Sequence, residues 1–225
     1  MKKSVFITRN VEEDSEFRQI LETEGFVVEG RSLIDFRAIT FNEIPETDWI
    51  FFYSRKAIRY FFEGLSKEMN LSKTQLACMG KGTTTALEKL GKKANFEGNG
   101  TPEEIAADFL QLAKNRSVLF PRARNSRQSI QKILGNHIIS HDLVVYINEQ
   151  KTDCHMSNKN LLVFTSPLNV EAYFHQNTLQ PHQRIVAIGE TTAKALKKLG
   201  YCEIMIAGQP NERSMAESVL RLARA

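Results

Sequence analysis

The chain has few cysteines and no long apolar run, and these two shortages exclude whole classes of protein. Its three cysteines, Cys78, Cys154 and Cys202, are odd in number and widely separated among 225 residues. That spacing argues against a disulfide framework and indicates a reducing compartment. No apolar run reaches the roughly 18 residues that a membrane span requires. The apolar run after the basic start breaks at Thr8, unlike a signal peptide. We therefore expect a cytoplasmic protein that does not act in a membrane.

The motifs of the common nucleotide-binding and hydrolytic sites are also missing. The glycines Gly80 and Gly82 are too close together for a P-loop, and no G-x-G-x-x-G follows a predicted strand. There is no G-x-S-x-G nucleophile elbow. The five histidines fall outside the predicted strand ends, and only Cys154 and His155 place a cysteine beside a histidine. We therefore expect no metal site, no dinucleotide site and no histidine acting as a catalytic base.

The charge pattern does not indicate a nucleic-acid partner. The formal net charge is +4, and charged residues make up 25% of the chain, which is ordinary for a globular protein. The densest basic stretch contains Arg116, Arg122, Arg124, Arg127 and Lys132. Such a stretch could meet a polyanion, but more often it is a solvated helix face, and no DNA- or RNA-binding motif accompanies it.

What the chain does contain is an internal repeat. Residues 77–91 and 186–200 each show a short apolar strand, a glycine-containing turn and a helix that stops at Leu-Gly. The strand that leads to Ser54 is echoed by the strand that leads to Ser166, in the same order and at nearly the same offset. A repeat of this length is too long for a solenoid module. It indicates two related α/β domains, or two halves exchanged between domains.

Predicted strands alternate with predicted helices along the whole chain. The apolar runs 49–53 and 161–165 are typical of buried strands, and Thr101-Pro102 followed by two glutamates is typical of a helix start. This alternation predicts parallel sheets with helices on both faces, in which ligands bind beyond the carboxyl ends of the strands. The candidate ligand-binding residues at these ends are Thr8, Arg9, Ser54, Arg55, Gly80, Gly82, Thr83, Arg122, Ser166, Gly189, Thr191 and Thr192.

The two glycine turns have the chemistry of anion sites. A helix start exposes N–H groups that have no intrahelical partner, and it carries the positive end of the helix dipole. Glycine allows close approach to this backbone, and threonine adds a hydroxyl donor. The simpler alternative is that glycine and threonine merely begin a helix after a strand. The predicted strand ends hold no obvious acid–base pair, which favours binding of a multiply charged substrate over hydrolysis.

In their order and spacing, the strand-end motifs resemble the uroporphyrinogen-III synthase family of tetrapyrrole biosynthesis. The motifs are Thr8-Arg9, Phe52-Tyr53-Ser54-Arg55, Gly80-Lys81-Gly82-Thr83, Pro121-Arg122, Val145-Tyr146, Phe164-Thr165-Ser166 and Ile188-Gly189-Glu190-Thr191-Thr192-Ala193. Each is short, but together they extend over essentially the whole chain. The sequence departs from the family pattern at Asn10, where proline is frequent, and at Tyr53, where threonine is usual. It also lacks the glycine that often follows Arg122.

The resemblance implies a HemD-like α/β fold with two similar, doubly wound, parallel-sheet domains joined by a two-stranded linker. The first domain would be discontinuous, with residues 1–33 and 151–225, and the second would hold residues 38–144. The linkers would be residues 34–37 and 145–150, and the ligand would lie in the cleft between the domains.

The reaction implied by the resemblance is the cyclisation of hydroxymethylbilane to uroporphyrinogen III. Water is lost and ring D is inverted through an azafulvene and a spiro intermediate, without a cofactor. The uninverted isomer I forms without enzyme. Residues Ser54, Gly82, Ser166, Thr191 and Thr192 would bind the substrate's carboxylates. Tyr146 matches the family's recurrent catalytic candidate and would donate to the departing hydroxyl; alternatively, it only packs in the interdomain connection.

The resemblance further implies a monomeric lyase that receives its substrate from hydroxymethylbilane synthase. Two other functions stay open from the residues alone. One is a two-domain protein that closes on a small anion without catalysing a reaction. The other is a duplicated flavodoxin-like domain that binds a phosphate-bearing cofactor.

Overall fold

The computed structural model describes residues 3–66, 71–152 and 159–224. Its contacts divide the chain into two compact units. Unit 1 contains residues 1–35 and 149–225, and unit 2 contains residues 36–148. The chain therefore crosses from one unit to the other twice.

Strands and helices alternate along both units. In chain order they are β1 (Ser4–Ile7), α1 (Glu16–Thr23), β2 (Val27–Gly30), β3 (Ile34–Ala38), β4 (Trp49–Phe52), α2 (Arg55–Gly64), β5 (Gln75–Cys78), α3 (Lys81–Glu88), β6 (Phe96–Glu97), α4 (Pro102–Ala113), β7 (Ser117–Ala123), α5 (Ser129–Leu134), β8 (Ile139–Gln150), β9 (Leu161–Phe164), α6 (Pro167–Phe174), β10 (Arg184–Ala187), α7 (Glu190–Lys198), β11 (Ile204–Ile206) and α8 (Glu212–Arg224).

Unit 1 is built on a parallel five-stranded sheet with the order β11-β10-β9-β1-β2. Successive side chains of a strand point to opposite faces. Val5 accordingly packs in a core cluster with Phe17 of α1 and Met215 of α8, whereas the ring of Phe6 stacks on Tyr173 of α6. The sheet therefore has helices on both faces, and its order is the doubly wound order in which the chain reverses direction next to β1.

Unit 2 repeats this plan. Its sheet has the order β3-β8-β7-β4-β5-β6, and the pairs from β8 to β6 are parallel. The fully apolar strand β4 packs on both faces: Phe51 contacts Phe109 of α4 at 5.0 Å between ring centroids, and Phe52 contacts Phe61 of α2 at 5.5 Å. The predicted start of α4 is confirmed, because Thr101 and Glu104 form a capping box.

The sequence repeat is also a repeat of hydrogen bonds. In unit 2, Phe52 and Cys78 are paired residues at the ends of β4 and β5, and in unit 1, Phe164 and Ala187 hold the same positions in β9 and β10. The next amide bonds back across each pair at the same distance, Met79 N to Phe52 O and Ile188 N to Phe164 O, both 2.9 Å. The predicted fold, with two related parallel-sheet α/β units, is therefore confirmed.

The apolar residues around 139 and at 143–147 do not form separate strands. They belong to the single 12-residue strand β8, because the polar residues between them also pair with β7. The strand β7 runs through Pro121 to Ala123. Proline lacks an N–H donor, and it is tolerated here because the pairs of β7 with β4 end at Leu119.

Candidate active site

In each unit, two neighbouring parallel strands end at the same level, and each is followed by a helix start two residues later. In unit 2 the N-caps are Ser54 for α2 and Gly80 for α3. In unit 1 they are Ser166 for α6 and Gly189 for α7. Adjacent strands lie about 4.8 Å apart. Two helix N-termini therefore lie side by side at the carboxyl edge of each sheet.

The two serines cap their helices in the same way. The Ser54 hydroxyl oxygen accepts from the Ala57 amide at 3.2 Å, and that of Ser166 accepts from the Asn169 amide at 3.2 Å. A serine hydroxyl has two acceptor lone pairs and one donor. Each capping serine therefore keeps its O–H for another group. Arg55 is exposed at the first position of α2.

The two glycine N-caps bring no side chain to their helix starts. Gly80 and Gly189 are extended, with φ of 171° and −178°, a conformation that any residue can adopt. What glycine contributes at these positions is therefore the absence of a side chain. At the second helical position Gly82 and Thr191 are exposed, whereas the following Thr83 and Thr192 are buried. The exposed pair and the first amides of α3 and α7 are therefore the parts of these turns that can meet a ligand.

The two glycine turns differ in charge. The first residue of α3 is Lys81, and the first residue of α7 is Glu190; both are exposed. A carboxylate in the first turn stabilises a helix but opposes a second anion there. The α3 start should therefore bind a carboxylate more strongly than the α7 start.

Three other predicted residues are engaged within the protein. Thr8 is fully buried, and its hydroxyl oxygen accepts from the Thr165 amide at 3.0 Å, which joins the ends of β1 and β9. Arg9 pairs with Glu212 at 3.0 Å, and Arg122 pairs with Asp142 at 2.6 Å. Their positions at strand ends agree with the prediction, but each also makes a contact within the protein that competes with binding of a ligand.

Glu212 explains why Arg9 is held. Its carboxylate accepts from the Ser15 hydroxyl at 2.8 Å and from the Phe17 amide at 3.2 Å at the start of α1. Partial burial raises the pKa of Glu212, but these two hydrogen bonds and the charge of Arg9 outweigh it, and the pKa falls below its usual value. This helix start is therefore occupied by a carboxylate of the protein itself.

Tyr146 lies beside the α2 start because of an irregularity in β8. Arg122 pairs with Val144, but the next residue, Ala123, pairs with Tyr146, so one extra residue is inserted. Val145 and Tyr146 consequently share one core cluster, although neighbours in a regular strand face opposite sides. Such bulges re-aim side chains near functional sites.

The contacts of Tyr146 restrict both its ring and its hydroxyl. The residue is 8% exposed, and its ring stacks on Tyr60 at 5.0 Å between centroids. The Ser54 side chain lies close enough to the phenol to influence its pKa. Burial raises the pKa of Tyr146, Ser54 lowers it in part, and the charge of Tyr60 adds to the rise. Two residues that were predicted separately, Ser54 and Tyr146, are therefore in contact.

Tyr53, a departure from the family pattern, has a structural role. Its hydroxyl oxygen accepts from the Gln131 amide at 3.0 Å in the first turn of α5, whose N-cap residue Gln128 forms no side-chain cap. Burial is the main cause that raises the pKa of Tyr53 to about 12, so the phenol stays neutral. Tyr53 thus supplies the missing cap from another element.

We predict that replacing Tyr53 with phenylalanine lowers the free energy of unfolding by about 1 kcal/mol, because the Gln131 amide loses its acceptor. Urea unfolding followed by circular dichroism would measure this change. An unchanged midpoint would mean that another acceptor satisfies the Gln131 amide.

Two other candidates from the sequence are the basic stretch and the Cys154-His155 pair. In the basic stretch, Arg116 pairs with Asp48 at 3.4 Å. Cys154 and His155 lie outside the described residues, and the described part of the chain holds no cluster of metal-ligating side chains. Within the same part, no helix combines the length and apolarity that crossing a membrane requires.

Comparison with known families agrees with the geometry. The family model described as uroporphyrinogen-III synthase HemD matches residues 15–217. The chain belongs to the uroporphyrinogen-III synthase family. The resemblance noted in the sequence is therefore confirmed.

Relatives in this family are distant in sequence and close in fold. Uroporphyrinogen-III synthase of Chlorobaculum parvum is 26% identical, over 88% of this chain and 90% of its own length. That of Schizosaccharomyces pombe is 24% identical, over 67% and 63%. The crystal structure of uroporphyrinogen-III synthetase from Helicobacter pylori superposes with a TM-score of 0.75 at 21% identity, over 99% of this chain and 100% of that one. A mutant uroporphyrinogen III synthase from Thermus thermophilus gives 0.65 at 16% identity, over 99% of both chains.

Proposed function

We propose that this protein is a lyase that closes hydroxymethylbilane to uroporphyrinogen III, with inversion of ring D and loss of water. The observation that carries the proposal is the contact of the Tyr146 phenol with Ser54, at a helix start that lies beside a second helix start at Gly80. This contact places a proton donor, the Tyr146 phenol, next to helix N-termini that can bind anions. Membership of the uroporphyrinogen-III synthase family supports the same reaction.

The helix starts in each unit offer donors that suit carboxylates, of which the substrate has eight. Charge-assisted hydrogen bonds contribute about 1.5–3 kcal/mol each. Contacts at Gly82, Ser166 and Thr191, and at the first amides of α2, would suffice to bind several acetate and propionate side chains. Thr83 and Thr192 are buried, so they would contribute indirectly, by stabilising the turns whose amides face the ligand.

Tyr146 would assist the loss of water. The carbon–oxygen bond of the hydroxymethyl group breaks, its electron pair leaves with the oxygen, and the phenol proton completes the water molecule. The pyrrole nitrogen supplies the electrons that expel the oxygen, and the N–H proton that it then releases gives the neutral azafulvene and balances the proton lost by the phenol. Water has a pKa of about 15.7, so proton transfer from a phenol to a departing hydroxide remains downhill even when burial raises the phenol pKa. Ser54 and the positive end of α2 would stabilise the phenolate.

Selectivity between products is a matter of positioning. Isomer I forms without enzyme, so the protein must favour the inverted closure. Each tenfold of preference requires about 1.4 kcal/mol of differential stabilisation. Binding the carboxylates in a fixed pattern can supply this without further acid–base residues or a cofactor. We infer a cytoplasmic monomer that takes its substrate from hydroxymethylbilane synthase.

A coupled assay tests the proposal. Hydroxymethylbilane is generated by its synthase, the protein is added, and the oxidised porphyrin isomers are separated by chromatography. Predominant isomer III supports the cyclase. A product mixture equal to the no-protein control, together with a raised melting temperature in the presence of a tetrapyrrole carboxylate, would instead favour an anion-binding protein without catalysis.

A further inference from the structure

Tyr60 contacts the Tyr146 ring and is itself tied to a second element. The two rings lie 5.0 Å apart with 24° between their planes, so they are stacked. The Tyr60 hydroxyl donates to the carbonyl oxygen of Phe36 in β3 at 3.2 Å. The ring of Phe36 lies 6.2 Å from Tyr146 at a tilt of 49°. The Tyr146 ring is therefore held by a neighbour that cannot rotate away without losing its own hydrogen bond.

Tyr146 has two neighbours on α2 and its N-cap. Ser54, the N-cap, lies next to the phenol oxygen, and Tyr60, six residues later, contacts the ring face. Contact at the ring face alone would leave the phenol oxygen free to move in the plane of the ring. Together the two neighbours restrict the plane of the ring and the position of its oxygen.

The internal repeat shows that the fold does not require an aromatic residue at position 60. The next two residues of α2, Phe61 and Phe62, correspond to Tyr173 and Phe174 of α6, so both positions are aromatic in both units. Phe52 to Phe61 is 5.5 Å and Phe164 to Tyr173 is 5.3 Å between centroids. The position equivalent to Tyr60, six residues after the Ser166 N-cap, is Ala172. The fold is thus built without an aromatic ring at this position in unit 1.

We propose that Tyr60 is a positioning residue for the reaction, which holds the Tyr146 phenol in line with the departing hydroxyl. This role rests on the proposed function. Misplacing a reacting group by about 1 Å can lower a rate a hundredfold. A ring that fixes the proton donor can therefore affect kcat strongly without touching the substrate.

A double-mutant cycle tests the role. Tyr60→Leu and Tyr60→Phe are each made in the wild-type protein and in a Tyr146→Phe background. We expect Tyr60→Leu to lower kcat about tenfold or more with KM unchanged, and to raise the share of isomer I. Tyr60→Phe keeps the ring but loses the hydrogen bond to Phe36, so its kcat should lie between that of Tyr60→Leu and that of the wild type. In the Tyr146→Phe background, Tyr60→Leu should have no further effect on kcat, because the donor it positions is gone.

A matched control separates positioning from stability. Phe62→Leu removes an aromatic ring from the same helix that packs on Phe52 at 5.9 Å, and it should lower the melting temperature without lowering kcat. The positioning role is overturned if Tyr60→Leu reduces kcat equally in both backgrounds, or if it changes the melting temperature alone. If the wild-type protein forms no isomer III, the proposed function fails and this role fails with it.

Discussion

Replacing Tyr146 with phenylalanine should lower kcat about a hundredfold and leave the protein folded. General acid catalysis contributes roughly 10²–10⁴-fold, and phenylalanine removes only the hydroxyl that would supply it. The ring and its stack on Tyr60 persist. Because enzymatic closure then competes poorly with spontaneous closure, isomer I should increase at the expense of isomer III. The rate of isomer III formation at saturating substrate measures the effect.

Tyr53→Phe is the matched control for this experiment. It also removes one phenol hydroxyl, from a residue only one position before Ser54, but that hydroxyl caps α5. It should reduce stability and leave kcat near the wild-type value. If Tyr146→Phe also retained kcat within about twofold of the wild type, a difference too small for lost general acid catalysis, Tyr146 would only pack beside α2, as the alternative from the sequence holds.

The parts of the site that could be predicted from sequence are those encoded locally. An apolar run followed by Gly or Ser and an amphipathic helix specifies a strand, a turn and a helix start within some fifteen residues. The repeat predicted that the helix starts at Gly80 and Gly189 are equivalent. The structure confirms this equivalence, because the end of β5 pairs with β4 as the end of β10 pairs with β9. Local chemistry was therefore sufficient to predict the fold and the edge of each sheet that carries the helix starts.

The contacts that were not predictable join residues far apart in the chain. Whether Arg9 is available to a ligand depends on Glu212, and Arg122 depends on Asp142. Tyr60 reaches Tyr146 only because one extra residue in β8 turns that ring towards α2. A bulge of this kind leaves no trace in hydrophobic periodicity, since Val145 and Tyr146 are both apolar enough for either face.

Placing a carboxylate at the α3 start should weaken substrate binding and strengthen the fold at once. Gly82 is exposed at the second position of α3, and a Cβ there would meet no atom within 4 Å. In Gly82→Asp, the new charge favours the helix N-terminus by about 0.3–1 kcal/mol, and replacing a glycine in the first turn adds less than the roughly 1 kcal/mol found in helix interiors. A substrate carboxylate bound at the same amides is repelled. We expect the melting temperature to rise and KM to increase about tenfold or more, the equivalent of one lost charge-assisted bond.

Gly82→Asn is the control, because asparagine has nearly the same size and no charge. Its KM should stay close to the wild-type value, and the difference between the two variants should shrink at high salt, which screens exposed charges. If Asp and Asn gave the same KM, the α3 start would not face a substrate carboxylate, and the anion-binding role of this turn would be wrong.

The equivalent change in unit 1, Thr191→Asp, should have a smaller effect. The α7 start already carries Glu190 in its first turn, whereas the α3 start carries Lys81. Because Glu190 already weakens carboxylate binding at the α7 start, less binding is available there for a new charge to remove. A KM increase in Thr191→Asp that is present but below that of Gly82→Asp would mean that both units bind the substrate, with unit 2 contributing more. An increase confined to Gly82→Asp would restrict carboxylate binding to the unit that also holds Tyr146.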